Sequence, residues 1–103
     1  MKLLKKITPE TILHALSSIS GFTVDELQST SGGGVSQWKH LGMYVARDRG
    51  MTLKQVGDIF GRHFTTVTLA EQKVKRALQD DPEITKAIEA VNNAIDTSND
   101  NGD

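Results

Sequence analysis

The chain of 103 residues predicts an all-α single domain of five or six helices, on the basis of three observations. Apolar residues recur at three- and four-residue spacing in each long segment, and no alternating strand pattern persists beyond a few residues. Capping residues stand where several of these segments begin. Cysteine is absent and aromatic residues are sparse, so we expect a modest aliphatic core without disulfides.

The first two helices are predicted near the start of the chain. Thr8, Pro9 and Glu10 supply a capping hydroxyl, a first-turn proline and an acid, and Gly21 ends the helix. Thr23 opens a capping box for a short second helix. The apolar stripe expected on the buried side of the first helix consists of Ile12, Leu13, Leu16 and Ile19.

A loop and a long helix are predicted next. Consecutive glycines lose much entropy on ordering, so the segment STSGGG at residues 29–34 is expected to be a flexible loop. The third helix is expected over residues 35–48, with Gly42 in close contact with another helix and Gly50 closing it.

The spacing of apolar residues predicts two helices joined by a tight turn over residues 52–78, TLKQVGDIFGRHFTTVTLAEQKVKRAL. A capping box opens the fourth helix, and Gly57 and Gly61 stand four apart where two helices touch and the chain turns. The fifth helix is expected from residue 64 or 65 to about residue 79. Such a motif can place its second helix in the major groove of DNA, although an ordinary helical hairpin has the same outline.

The C-terminal region predicts a sixth helix that begins at Asp81 and Pro82. Its apolar seam consists of Ile84, Ile88, Val91 and Ile95. We expect this seam to pack on the domain's own core, because a small domain needs the buried area, with pairing to another copy as the alternative. The domain is thus expected over residues 1–95, and residues 96–103 are expected to be a disordered acidic tail.

Charge is distributed unevenly along the chain, although the net charge is only −1. Residues 36–79 contain eight lysines and arginines against three acids, whereas residues 80–103 contain one lysine against seven acids. A clustered basic surface matters more for phosphate binding than the total charge does. The middle of the chain is therefore the candidate nucleic-acid-binding region, with an ordinary mixed surface as the alternative.

The start of the fifth helix carries side chains suited to DNA. Arg62 in the turn can hold phosphate, and the threonine hydroxyls can bond bases or phosphates. Thr65 is equally expected to cap the helix, which would leave the DNA contact to Thr66. Phe64 is expected in the core, closing the turn, with an exposed wedge against thymine as the alternative.

The stretch LGMYVARDRGMTLKQVGDIFGRHFTTV resembles the C-terminal DNA-binding domain of DnaA, the bacterial replication initiator. The upstream ITPETILHALSSISGFTVDELQS resembles the first two helices of that domain, so the similarity covers residues 7–78. It implies a Trp-repressor-like helical fold and a stand-alone, divergent module that binds double-stranded DNA. It also implies a bacterial, cytoplasmic protein, associated with the nucleoid when bound to DNA and tied to replication or transcription.

The resemblance implies a set of DNA contacts, but this sequence departs from the family's pattern at two places. His63 and Phe64 stand where the family has a base-reading aspartate and histidine, and STSGGG replaces its arginine-rich loop. The family's usual nine-base box is therefore not the expected target. The residues expected to contact DNA, through phosphates or base edges, are Lys39, Arg47, Lys54, Arg62, His63, Phe64, Thr65 and Thr66.

Other functional classes lack their motifs. The chain has no G-x-x-x-x-G-K-[ST], and His14, His40 and His63 lie on three different elements. We therefore expect no enzyme activity, no cofactor and no metal site. No apolar run approaches about 18 residues, so no membrane span is expected, and the basic start MKLLKKI is not expected to be a signal peptide.

A protein-interaction module is the alternative function. Such a module would have kept the fold while weakening or losing DNA binding. Its partner, or a second copy of the chain, would bind at the acidic sixth helix.

Overall fold

The computed structural model describes residues 7–29 and 32–100, and these ranges contain six α-helices and no strand. The all-α fold predicted from helical periodicity is confirmed. The helices are α1 (Pro9–Ser20), α2 (Val24–Ser29), α3 (Gly33–Asp48), α4 (Leu53–Phe60), α5 (Phe64–Asp80) and α6 (Pro82–Asp100).

Helix α3 is the centre of the domain, because it contacts each of the other five helices. Its apolar face contributes Val35, Met43, Val45 and Ala46 to a largely aliphatic core. Helices α1 and α6 pack together beside α3, and α4 and α5 pack against each other and against α3. The α4–α5 pair is thus held on a rigid support.

The sixth helix packs on the domain's own core, as predicted. Val91 and Ile95 are fully buried, and α6 contacts α1, α3 and α5. The expectation of a disordered tail from residue 96 is wrong for residues 96–100, which continue α6. The buried guanidinium of Arg49 lies 3.0 Å from a carboxylate oxygen of Asp96, which fixes this end of the helix. Residues 101–103 lie outside the described ranges.

Two other expectations are wrong near the first three helices. Gly33 and Gly34 form the first turn of α3 instead of a loop, and the backbone N–H of Gly32 donates to Ser36 Oγ at 2.9 Å. Thr30 and Ser31 lie outside the described residues. Ile19 is 39% exposed, because it borders a groove between α1 and α6 and does not fill the core.

The predicted capping box opens α4. Thr52 Oγ1 accepts from the Gln55 backbone N–H at 3.1 Å, and Gln55 Oε1 accepts from the Thr52 backbone N–H at 2.9 Å. Gly61 ends the helix in the left-handed conformation, with φ of 64°. Because other residues rarely adopt this conformation, glycine at residue 61 permits the tight turn into α5.

Gly57 and Gly42 are both sites of close approach. A Cβ at Gly57 would lie 2.5 Å from the Arg62 carbonyl oxygen, which belongs to the turn. A Cβ at Gly42 would meet the side chains of Leu16 and Phe60. The predicted requirement for small residues is confirmed, and at Gly57 the close contact is with turn backbone, which cannot move as a side chain can.

Replacing Gly57 with alanine is expected to lower the free energy of unfolding by about 1–3 kcal/mol, since the added methyl group overpacks against backbone. Gly34→Ala is the matched control, because its Cβ would lie 3.5 Å from Phe22, an ordinary contact. That control should stabilise the helix by about 0.5–1 kcal/mol. Chemical denaturation measures both, and equal stability of Gly57→Ala and the parent would contradict the account of the turn.

Candidate nucleic-acid interface

His63 caps the fifth helix. Its backbone is extended, and its Nδ1 accepts from the Thr65 backbone N–H at 3.3 Å. The same Nδ1 lies 2.9 Å from Thr65 Oγ1. The expectation that Thr65 caps the helix is therefore wrong, because the imidazole two residues earlier takes that place. Thr65 is exposed, and Thr66 is half-buried on the next position of the helix.

Phe64 lies outside the core, so the expectation that it closes the turn is wrong. Its side chain is 49% exposed, whereas Phe60, one residue before the turn, is fully buried and fills that place. The Phe64 ring is 4.3 Å from the His63 ring, measured between centroids. The two aromatic rings therefore form an exposed pair at the start of α5.

An open cavity of about 510 Å³ adjoins this aromatic pair. Its walls are the side chains of α4 and of the turn, with two cations and one acid among them. The residues lining it are Lys54, Asp58, Arg62, His63 and Phe64. Four of the eight predicted DNA contacts are thus brought together at one surface by the turn between α4 and α5.

Arg47 is engaged in contacts within the domain. Its Nε lies 3.2 Å from a carboxylate oxygen of Glu71, and its Nη1 donates to the Met51 carbonyl oxygen at 2.8 Å. Because Arg47 belongs to α3 and Glu71 to α5, this ion pair links the two helices. Arg47 is therefore held by two contacts within the domain, with 32% of its side chain exposed.

Lys39 is buried, which places it away from the surface position that the family resemblance implies. Only 2% of the residue is exposed, and its Nζ has no hydrogen-bond partner. Burial, and after it the nearby Arg62 guanidinium, hold the pKa of Lys39 below its ordinary value. A phosphate at the surface cannot reach this Nζ in the described conformation.

Positive charge is concentrated where α3, the turn and α5 meet. The pKa of His40 is lowered, first by burial and then by Lys73 and Arg62. The pKa of Lys39 is lowered in the same neighbourhood, as described above. Arg62 thus lies near enough to both Lys39 and His40 to disfavour their charged forms.

The exposed face of α5 contains residues beyond those predicted for DNA contact. Leu69, Gln72, Lys73, Lys75 and Arg76 are all exposed and follow the two threonines along the helix. The helical spacing of three and four residues was the signal that could have identified them. Every charged residue among them is basic.

No protein-family model matches the chain. Among the described residues, no helix combines the length and the apolar character needed to cross a bilayer. Within the same ranges, no group of three or more histidines and acids forms a potential metal-binding cluster. The fold and site therefore define a small all-α domain with a basic helix-turn-helix surface.

Replacing Lys39 with methionine is expected to raise the free energy of unfolding near neutral pH by about 1–3 kcal/mol, because it removes an unpartnered buried polar group. The pKa of Lys39 is lower in the folded chain than its value of about 10.4 in the unfolded chain. At a pH between these two pKa values, the unfolded chain therefore binds more protons than the folded chain. The parent should therefore gain stability as pH rises through this window, and the advantage of Lys39→Met should shrink.

Denaturant titrations of parent and Lys39→Met at neutral and alkaline pH measure this difference. Lys86→Met, at a lysine whose side chain is 72% exposed, is the control and should leave stability nearly unchanged at each pH. A difference between Lys39→Met and parent that stays constant with pH would contradict the account of the buried charge.

Proposed function

We propose that the chain binds double-stranded DNA through α4 and α5, with the first turns of α5 in the major groove. The observation that carries the proposal is the exposed surface of α5 from residue 65 to residue 79. Its exposed charged residues are Lys73, Lys75 and Arg76, and no exposed acid interrupts them. A basic recognition helix that begins with exposed hydroxyl and aromatic groups suits both phosphates and base edges.

Phosphate contacts are assigned to Lys54 and Arg62, which flank the cavity at the turn, and to Lys73 and Arg76 along α5. The positive end of the helix dipole at the start of α5 adds a potential that favours an anion. Lys39 and Arg47 act from behind this surface. Lys39 adds positive potential, and Arg47 holds α5 in place through Glu71.

Base contacts are assigned to the start of α5. Thr65 and Thr66 offer hydroxyl and methyl groups, and His63 adds an imidazole. The exposure of Phe64 favours its role as an apolar wedge against thymine. With the similarity to the DnaA C-terminal domain, these assignments support a divergent DNA-binding regulator of replication or transcription in the bacterial nucleoid.

The alternative, a protein-interaction module at the sixth helix, has less support. The half of the apolar seam formed by Val91 and Ile95 is fully buried within the domain, which leaves a partner only the half-buried Ile84 and Ile88. The acidic residues of α6 leave a polar outer face, and surface charge pairs of this kind contribute little to stable association.

Binding to a random-sequence duplex is expected to weaken steeply with salt. If about four phosphates are neutralised, log K should fall with log salt with a slope of roughly −3 to −4. Lys54→Gln and Arg62→Gln should each reduce the magnitude of that slope by about one. Lys86→Gln, at an exposed lysine on α6, is the matched control and should leave it unchanged. A salt-independent affinity, or no binding at low salt, would overturn the proposed function.

Sequence preference is expected to depend on Thr66. Selection from a pool of random duplexes should enrich a site other than the DnaA nine-base box, because His63 and Phe64 replace the family's base readers. Thr66→Ala should reduce discrimination between selected and random duplexes by about 1–3 kcal/mol, whereas Lys54→Gln should weaken both alike. Recovery of the nine-base box itself would show that the two replacements have no effect on site choice.

A further inference from the structure

Leu69 is an exposed hydrophobic residue within the basic face of α5. Its side chain is 58% exposed, more than the exposed Phe64 and Ile19. It lies four residues after Thr65 and three after Thr66, so it stands one helical turn beyond both. Gln72 and Lys73 follow it at the same spacings. Leu69 is therefore in the row of side chains that the proposed function directs toward the bases.

Single exposed leucines are common on protein surfaces and by themselves indicate nothing. This leucine is of interest because the exposed residues one turn before and after it on the helix, Thr65, Gln72 and Lys73, are polar or basic. The exposed cations Lys73 and Arg76 lie within two turns of it and match a polyanion. The charge of this face therefore selects DNA as its occupant.

The major groove presents one apolar group on the base edges, the C5-methyl group of thymine. Leu69 lies four positions after Thr65, about 6 Å along the helix axis. That distance is about two base-pair steps at roughly 3.4 Å each. When the first turn of α5 contacts one base pair, the Leu69 side chain is within reach of a neighbouring pair in the same groove.

We infer that Leu69 contacts thymine methyl groups and gives the chain a preference for thymine at that position of the site. This inference rests on the proposed function, because it requires α5 to enter the major groove. It adds a specificity-determining residue to that function. Burial of one methyl group corresponds to about a fourfold change in affinity.

The test compares two 20-base-pair duplexes of A·T pairs in the same mixed order, one with thymine and one with uracil, by fluorescence anisotropy at low salt. Uracil lacks only the C5-methyl group. The parent chain should bind the thymine duplex about fourfold or more tightly than the uracil duplex. Leu69→Ala should reduce this thymine preference by about fourfold, and any preference that is left belongs to Phe64 and the threonine methyl groups.

Ile19→Ala is the matched control, since Ile19 is an exposed apolar residue on α1, on a different helix from the proposed interface. It should keep the full preference for thymine. A thymine preference in Leu69→Ala as large as that of the parent would assign methyl recognition entirely to other residues and overturn the inference. Equal binding of both duplexes by the parent would overturn it while leaving the proposed function intact. Failure of the parent to bind either duplex would overturn both.

Discussion

The position of the fifth helix depends on the absence of a side chain at Gly57. The Arg62 backbone N–H donates to the Gly57 carbonyl oxygen at 2.9 Å, and the Arg62 carbonyl oxygen occupies the space that a Cβ at Gly57 would need. The chain therefore folds back tightly on α4 as soon as Gly61 has turned it. Phe60 stays in the core, while Arg62 is half-buried and residues 63–65 are exposed.

The support helix α3 fixes the rest of the surface. Its contact with α5 includes the ion pair between Arg47 and Glu71, which neutralises an acid of α5 next to α3. The same helix buries the Lys39 ammonium without a hydrogen-bond partner, near Arg62. An unpartnered buried charge destabilises the fold, and the nearby Arg62 guanidinium adds to that cost.

Local signals made most of the fold predictable, and long-range contacts account for the errors at Phe64, at Lys39 and at the end of α6, whereas the errors at the glycine segment and at the cap of α5 are local. Caps and glycines gave the helix boundaries because they act through neighbouring backbone groups. Phe64 was expected in the core, but Phe60 occupies that place beside the turn. The sequence of the turn does not indicate which of two phenylalanines four residues apart is buried. Lys39 lies four residues after the buried Val35, so both side chains are on the same buried face of α3. The resemblance to DnaA indicated a basic residue at this position but not its burial. The length of α6 depends on the contact of Asp96 with Arg49, 47 residues earlier in sequence.

The central claim is that the α4–α5 surface is where DNA binds. Its most direct test is the mapping of backbone amide chemical shifts by NMR while a random 20-base-pair duplex is added at low salt. The account predicts shifts at Lys54 and over residues 62–76, with little change in α1 and α6. Shifts confined to the groove between α1 and α6 would contradict it.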